Sequence, residues 1–456
     1  MAAGSGLSVG AGLRATGLRE AHCHLHSHGQ SRAMVGLDGC RSLGECLDVI
    51  GAAALARAGE GGGSGWVLAR GARPESWPEH RWPTRTELER VCPGLPLAMW
   101  CFDHHALCAN PRALAMAGVT GASIDPEGGV IERDREGEPT GVMLEAATRL
   151  VWSKVPEPTR EQRKAHVRLA LEDLASKGFV ECHDMLSHDW FGPVLAELRD
   201  EGALACRVWL YPLVEDLNRI AAGRHAWESR EVRLAGGKVF TDGTINSRTA
   251  WMLEPFADPI PSHPRGTPLM SVEQIAEAIR SCTRHGLHLA AHAIGDGAVR
   301  ACLDAAERVM REGAEGRRGK GAEGERVRSR SGEPMALRIE HAELVDEADV
   351  GRFADLEVVA SVQPCHLLAD IEALRRLLPH RLGRVLPLRE LAEAGCRPGE
   401  LMWFGSDTPI VRPDAEDSIQ AAVHRRREGM GEGEAIALEQ AIGEEEAWGA
   451  FRRARR

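Results

Sequence analysis

Four short stretches of this chain set histidine or aspartate at the end of an apolar run, an arrangement that could hold a metal ion. In Glu20-Ala-His-Cys-His-Leu, His22 and His24 stand two apart on a predicted strand, so both imidazoles leave one face and one ion could take both. The second stretch, Leu287-His-Leu-Ala-Ala-His292, is a strand ending in histidine, followed by a glycine-flanked turn whose Asp296 is expected to cap the next helix. The third, Leu337-Arg-Ile-Glu-His341, ends the same way, and Met402-Trp-Phe-Gly-Ser-Asp407 delivers an acid to the end of a buried strand. A lone His-x-His is as often a pair of surface residues, and one strand-end histidine is usually structural. Three such sites in strand order, closed by a carboxylate, make a ligand set.

A buried carboxylate is costly without a cation, a metal or a hydrogen-bond network, which makes Asp407 the first choice for a catalytic base. The four imidazoles His22, His24, His292 and His341, with Asp407, suit zinc or another divalent transition metal, as one or two ions. An open position on such an ion lowers the pKa of water by roughly 8 or 9 units, into the neutral range. His26 and His28 continue the parity of His22 but fall past the strand end, where loop residues are expected.

These residues need a scaffold that brings strand ends together. Short β-branched runs alternate with amphipathic stretches such as Arg160 to Lys177 and Ser271 to His285, the mark of βαβ units and a parallel sheet. Strands are expected near Arg19 to His24, Phe179 to Asp184, Arg207 to Tyr211, Gly237 to Thr241, Leu287 to His292, Leu337 to His341, Glu357 to Val362 and Leu401 to Asp407. Eight strands with polar residues at their C-terminal ends predict an α/β fold, a (β/α)8 TIM-like barrel over residues 19–450. Between its first and second strands, an inserted subdomain is expected over about residues 60–160, with strand-like runs at Trp66 to Arg70 and Pro96 to Asp103. Residues 1–18 read as a flexible terminus, 313–334 as a mobile loop of Gly, Arg, Glu and Ser, and Glu434 to Ala450 as helix.

Composition removes several classes. With 56 Lys and Arg against 67 Asp and Glu, a net charge of -11 and no basic stripe, nucleic acid is not an expected partner. No apolar run reaches membrane-spanning length and no leader is evident, so a cytoplasmic enzyme acting on a small molecule is expected, away from membranes. The 12 cysteines include no Cys-x-x-Cys pair and are expected to be reduced and buried.

The chain resembles the amidohydrolase superfamily and, within it, the amidohydrolase 3 group that includes N-substituted formamide deformylases. The matching pieces are His22-x-His24, Phe102-Asp-His-His-Ala with Asn110, Gly137-Glu-Pro-Thr-Gly-Val with Glu145, and Lys238-Val-Phe-Thr-Asp-Gly. Ser247-Arg-Thr-Ala, His292-Ala-Ile-Gly-Asp, Ile339-Glu-His341, Ser361-Val-Gln-Pro-Cys-His366 and Gly405-Ser-Asp407 complete the set. The resemblance implies metal-dependent hydrolysis of a non-peptide C–N bond, amide or formamide, with Asp407 moving protons. It makes Lys238 a candidate metal ligand, carboxylated to bridge two ions; pairing with Asp242 or holding a substrate anion are the alternatives. It makes His105 a catalytic donor to the carbonyl under attack, and places Glu145, Arg248, His183, Gln363 and His366 along the substrate pocket or behind it.

Two departures stand out. The β-sandwich that members usually carry before and after the barrel is missing, leaving barrel surface for a partner subunit to cover, as in a homo-oligomer. Glu20 also stands where the group has aspartate, which keeps the charge. Lactone or ester hydrolysis at the same site, metal-dependent lyase or isomerase chemistry, and a non-catalytic barrel are the competing readings.

Overall fold

A computed structural model describes residues 17–59, 65–102, 106–126, 128–318 and 337–452. The chain divides into two units: one runs to His28 and resumes at Ala170, and the other spans Gly29–Leu169.

The first unit opens with β1 (Leu18–Cys23), every residue of which is buried, as expected of a parallel strand covered on both faces. The second unit contributes β2 (Val35–Gly36), β3 (Val67–Ala72), β4 (Leu97–Cys101), β5 (Ala106–Ala109), β6 (Gly129–Arg133) and β7 (Pro139–Glu145). The first unit then resumes with β8 (Phe179–Asp184), β9 (Arg207–Leu210), β10 (Val232–Leu234), β11 (Gly236–Phe240), β12 (His288–Ala293), β13 (Leu337–His341), β14 (Val359–Val362) and β15 (Met402–Phe404).

Among the described residues, the named strands of the first unit pair in parallel, in two sheets ordered β1-β8-β9-β10 and β11-β12-β13-β14-β15. One residue, Ala235, separates β10 from β11, and its amide donates to Leu210 O at 3.0 Å. The run 232–240 therefore pairs with β9 at one end and with β12 at the other. The stretch Val232–Leu234, unread in the sequence, belongs to it. At the opposite edges the backbone also connects: Asp407 N donates to His22 O at 2.7 Å, and His24 N to Thr408 O at 2.9 Å. Helices lie between strands as the apolar periodicity predicts. The Val272–Arg284 helix starts at a capping box in which Ser271 and Gln274 exchange side-chain and backbone bonds.

The second unit has one mixed sheet ordered β2-β3-β4-β5-β7-β6. Its alternation is clean: Val67, Ala69, Leu97 and Met99 pack on one side with Leu47 and Ile50. Trp66, Ala98, Leu107 and Met143 pack on the other with Leu114 and Val151.

Several expectations need correction. His26 and His28 lie in a helix, Leu25–Ala33, not a loop, and His28 is buried with Nε2 2.9 Å from Asp173 Oδ2. Asp296 is the first helical residue of Asp296–Arg318 rather than a cap before it. One oxygen accepts from Leu253 N at 2.7 Å, and the other pairs with Arg381. That helix carries residues 313–318, the start of the expected loop at 313–334; 319–336 lie outside the described residues, as do 1–16 of the expected flexible terminus, while Leu18 is already in β1. The tail is not one helix: Glu432–Glu434 and Leu438–Gln440 form single turns, and Glu444–Ala450 alone is α-helical. Among the described residues, no helix is long and apolar enough to cross a membrane. All 12 cysteines are free and 11 of them are buried.

Candidate metal centre

The site forms where the parallel strands of the first unit end. His22, His341 and Asp407 each offer a ligand atom within 4.8 Å of the others, and all three residues are buried. His24, just past β1, places Nε2 3.0 Å from Asp407 Oδ1. The His292 ring centroid lies 4.5 Å from that of His341. Strict alternation would turn His341 away from Glu340, but its φ of +73° bends the backbone out of the strand, and Asp407 has φ +59°. Left-handed backbone at a non-glycine residue costs on the order of 1–3 kcal/mol and collects at functional sites.

Gly405 lets β15 reach this place. A Cβ there would sit 2.5 Å from His22 N and 2.7 Å from Glu20 Oε1. Glu20 ties the two strand ends together, its Oε1 accepting from His22 N at 3.0 Å and from Ser406 N at 2.9 Å. Burial pushes its carboxyl up to about 7.

Burial works against a positive charge on three of the imidazoles. Burial lowers His22 to about 4 and His292 to about 3, and with His292 and His22 as neighbours drives His341 well below its ordinary value. Burial pushes the Asp407 carboxyl up, but His22, His24 and His341 outweigh it and hold Asp407 well below the usual carboxylate range. Glu340 Oε2 lies 2.7 Å from His22 Nδ1. A carboxylate only accepts, so Nδ1–H donates, and His22 Nε2 turns a lone pair on Asp407 Oδ1 at 3.3 Å. Two acceptors this close need a cation between them. With the buried His341 Nδ1 also lacking a hydrogen-bond partner, the donor set fits a divalent metal.

Lys238 is buried on β11, its Nζ without a hydrogen-bond partner and 5.1 Å from the Phe240 ring centre. Burial lowers it to about 8. Asp242 is not its partner: the Asp242 carboxylate accepts from Trp251, Ile294 and Gly295 backbone amides at 2.9, 3.1 and 2.8 Å.

His366 joins the cluster, with Nε2 3.9 Å from Asp407 Oδ2 and Nδ1 3.5 Å from Glu343 Oε1. Burial disfavours its charge, yet Glu343 and Asp407 prevail and raise it to about 9. Gln363 is wholly buried and donates to Ser361 O at 3.2 Å. His183 is wholly buried in the interior, stacked on Trp209 with ring centroids 4.7 Å apart. Arg248, φ +56°, pairs with Asp258 on the segment between β11 and the Val272–Arg284 helix. Glu145 ends β7 in the second unit with φ +52°. His105 lies outside the described residues. Glu340 and Glu343 went unassigned in the sequence, although Glu340 shares the parity of Arg338 on β13 and both acids flank His341.

The model of the amidohydrolase family matches residues 13–443. The chain belongs to the amidohydrolase family. This amidohydrolase is 30% identical over 424 residues to Protein LONG AFTER FAR-RED 3 of Arabidopsis thaliana, covering 90% of the chain and 68% of that relative. It is 26% identical over 369 residues to N-substituted formamide deformylase of Arthrobacter pascens, covering 74% of the chain and 63% of the relative. An uncharacterized metal-dependent hydrolase from Pyrococcus horikoshii matches it in structure with a TM-score of 0.70 at 26% identity, over 95% of this chain and 79% of the other. Family, relatives and donor set together support a metal-dependent hydrolase that uses a divalent ion.

Proposed function

We propose that this amidohydrolase hydrolyses a non-peptide C–N bond, of the amide or formamide type, in a small molecule. The observation that carries the reading is the His22 lone pair facing the Asp407 carboxylate at 3.3 Å, a place made for a cation. The likeness to N-substituted formamide deformylase supports the choice of bond. We read the two parallel sheets as arcs of one (β/α)8 barrel, supported by the continuous run 232–240 and the backbone bonds between 22–24 and 407–408, with Gly29–Leu169 as its insertion.

His22, His24, His341 and Asp407 would hold zinc, with His292 and a carboxylated Lys238 completing a two-ion site. When bound, the metal supplies positive charge that acidifies water and polarises the scissile carbonyl. Asp407 takes a proton from the attacking water and hands it to the departing nitrogen. The Asp407 carboxylate is ionised and so open to receive that proton. His366, kept as a donor by Glu343, faces Asp407 and orients the carbonyl oxygen, a part the sequence also gives to His105. Glu145, Arg248 and Gln363 are carried as substrate-side residues on the resemblance.

The test is release of amine from a panel of N-substituted formamides and simple amides, run beside lactones and esters. Amine release that stops on chelation supports the reading. Turnover of lactones or esters alone would overturn the choice of bond. Lys238→Ala should halve a two-ion stoichiometry, and an unchanged metal content would remove Lys238 as a bridge.

A further inference from the structure

Beneath the strand ends lies a buried arginine that neither the metal reading nor the proton path uses. Arg338 sits on β13 two residues before Glu340, on the same face, and is 1% exposed. Its Nη2 donates to Ala21 O at 2.6 Å, Ser361 Oγ at 2.8 Å and Glu340 Oε2 at 3.2 Å. Its Nη1 donates to His183 Nδ1 at 2.7 Å and Tyr211 Oη at 3.2 Å, and its Nε lies against Glu340 Oε1. The Tyr211 hydroxyl in turn lies 2.6 Å from His288 Nε2, within hydrogen-bond distance. The guanidinium thus grips both oxygens of Glu340 and the carbonyl of Ala21, the residue just before His22.

We propose that Glu340, clamped by Arg338, is a positioning residue that fixes the tautomer and ring orientation of His22, so that Nε2 is offered to the metal. Glu340 Oε2 meets His22 Nδ1 at 2.7 Å. A planar guanidinium fork holds a carboxylate in one plane, which an ammonium cannot do. Outer partners of this kind set the basicity and aim of a ligating imidazole. The inference rests on His22 being a metal ligand, and the experiment separates the two.

The full chain, stripped of metal by chelator, is titrated with Co2+ as wild type, Glu340→Gln, Arg338→Lys and the double variant. Glu340→Gln is expected to weaken Co2+ binding by on the order of 10- to 100-fold and to alter the Co2+ absorption spectrum. Arg338→Lys should weaken it less, and the double variant no more than Glu340→Gln alone, because the arginine acts through the glutamate. Equal Co2+ affinity in wild type and Glu340→Gln would overturn the proposal, as would additive losses in the double variant. Failure of the wild type to bind Co2+ would instead overturn the metal reading. In metal-free wild type, 15N spectra of labelled histidine should show the His22 proton on Nδ1, and a proton on Nε2 would overturn the positioning role on its own.

Discussion

Around Arg338, polar groups from neighbouring strands meet donor to acceptor; around Asp407, nearer the strand ends, acceptor meets acceptor. Both places are buried. Both terminal nitrogens of Arg338 find oxygen or nitrogen acceptors, and its Nε faces a carboxylate. His22 Nε2 and Asp407 Oδ1, by contrast, stand 3.3 Å apart with no proton to share, beside a His341 Nδ1 and a Lys238 Nζ that lack hydrogen-bond partners. The first arrangement pairs its charges within the protein and holds shape, although His183 Nε2 and His288 Nδ1 in it find no hydrogen-bond partner. The second becomes satisfied only with a ligand, and it is also where non-glycine residues take left-handed backbone.

The sharpest way to break that contrast is to remove the arginine. Arg338→Met takes from the buried Glu340 its cationic partner and leaves it only the His22 Nδ1–H, and should cost about 3–5 kcal/mol of stability in denaturant unfolding. A change below about 1 kcal/mol would mean the lower layer is not held by charge pairing. At the upper layer, Asp407→Asn should leave the fold and most of the metal in place while kcat falls at least ~100-fold, about 2.7 kcal/mol. Retained activity would remove Asp407 as the base.

Lys238 distinguishes the layers by pH. Burial sets its folded pKa at about 8 against an ordinary 10.5. Below pH 8 both folded and unfolded chains hold the proton and the burial penalty is whole. Between 8 and 10.5 the unfolded chain holds more protons, so stability rises with pH, by about 3 kcal/mol at most at 1.36 kcal/mol per pKa unit. Metal-free wild type should therefore gain in Tm across that window and Lys238→Met should not; parallel curves would contradict a buried, unpaired ammonium. The smallest effect belongs to Gly405→Ala, whose new methyl must push back His22 or Glu20. A loss of about 1–3 kcal/mol is expected in thermal unfolding, with none if the strand end shifts freely.

The strand-end histidines and Asp407 that the fold brings together were legible in the sequence because each sits at the close of an apolar run. Their outer partners were not. His22 and Glu340 are separated by 318 positions and meet only through strand order and register, which local patterning does not specify. Glu343 reaches His366 because the chain turns at His341 and Ala342, both with positive φ in residue types that do not advertise it. The 232–240 strand was read short because Gly236 and Gly237 interrupt its β-branched pattern; a Cβ on either would meet neighbouring atoms under 3.0 Å away. His28 was misplaced because its helix begins directly after the strand, at Leu25, without an intervening turn.

The most direct test of the account is the metal content per chain, by elemental analysis of protein purified without chelator. One or two equivalents of zinc, iron or manganese, lost in His22→Ala, is the predicted result. No bound metal, and none taken up on reconstitution, would contradict a metal-dependent hydrolase and return the strand-end histidines to a structural role.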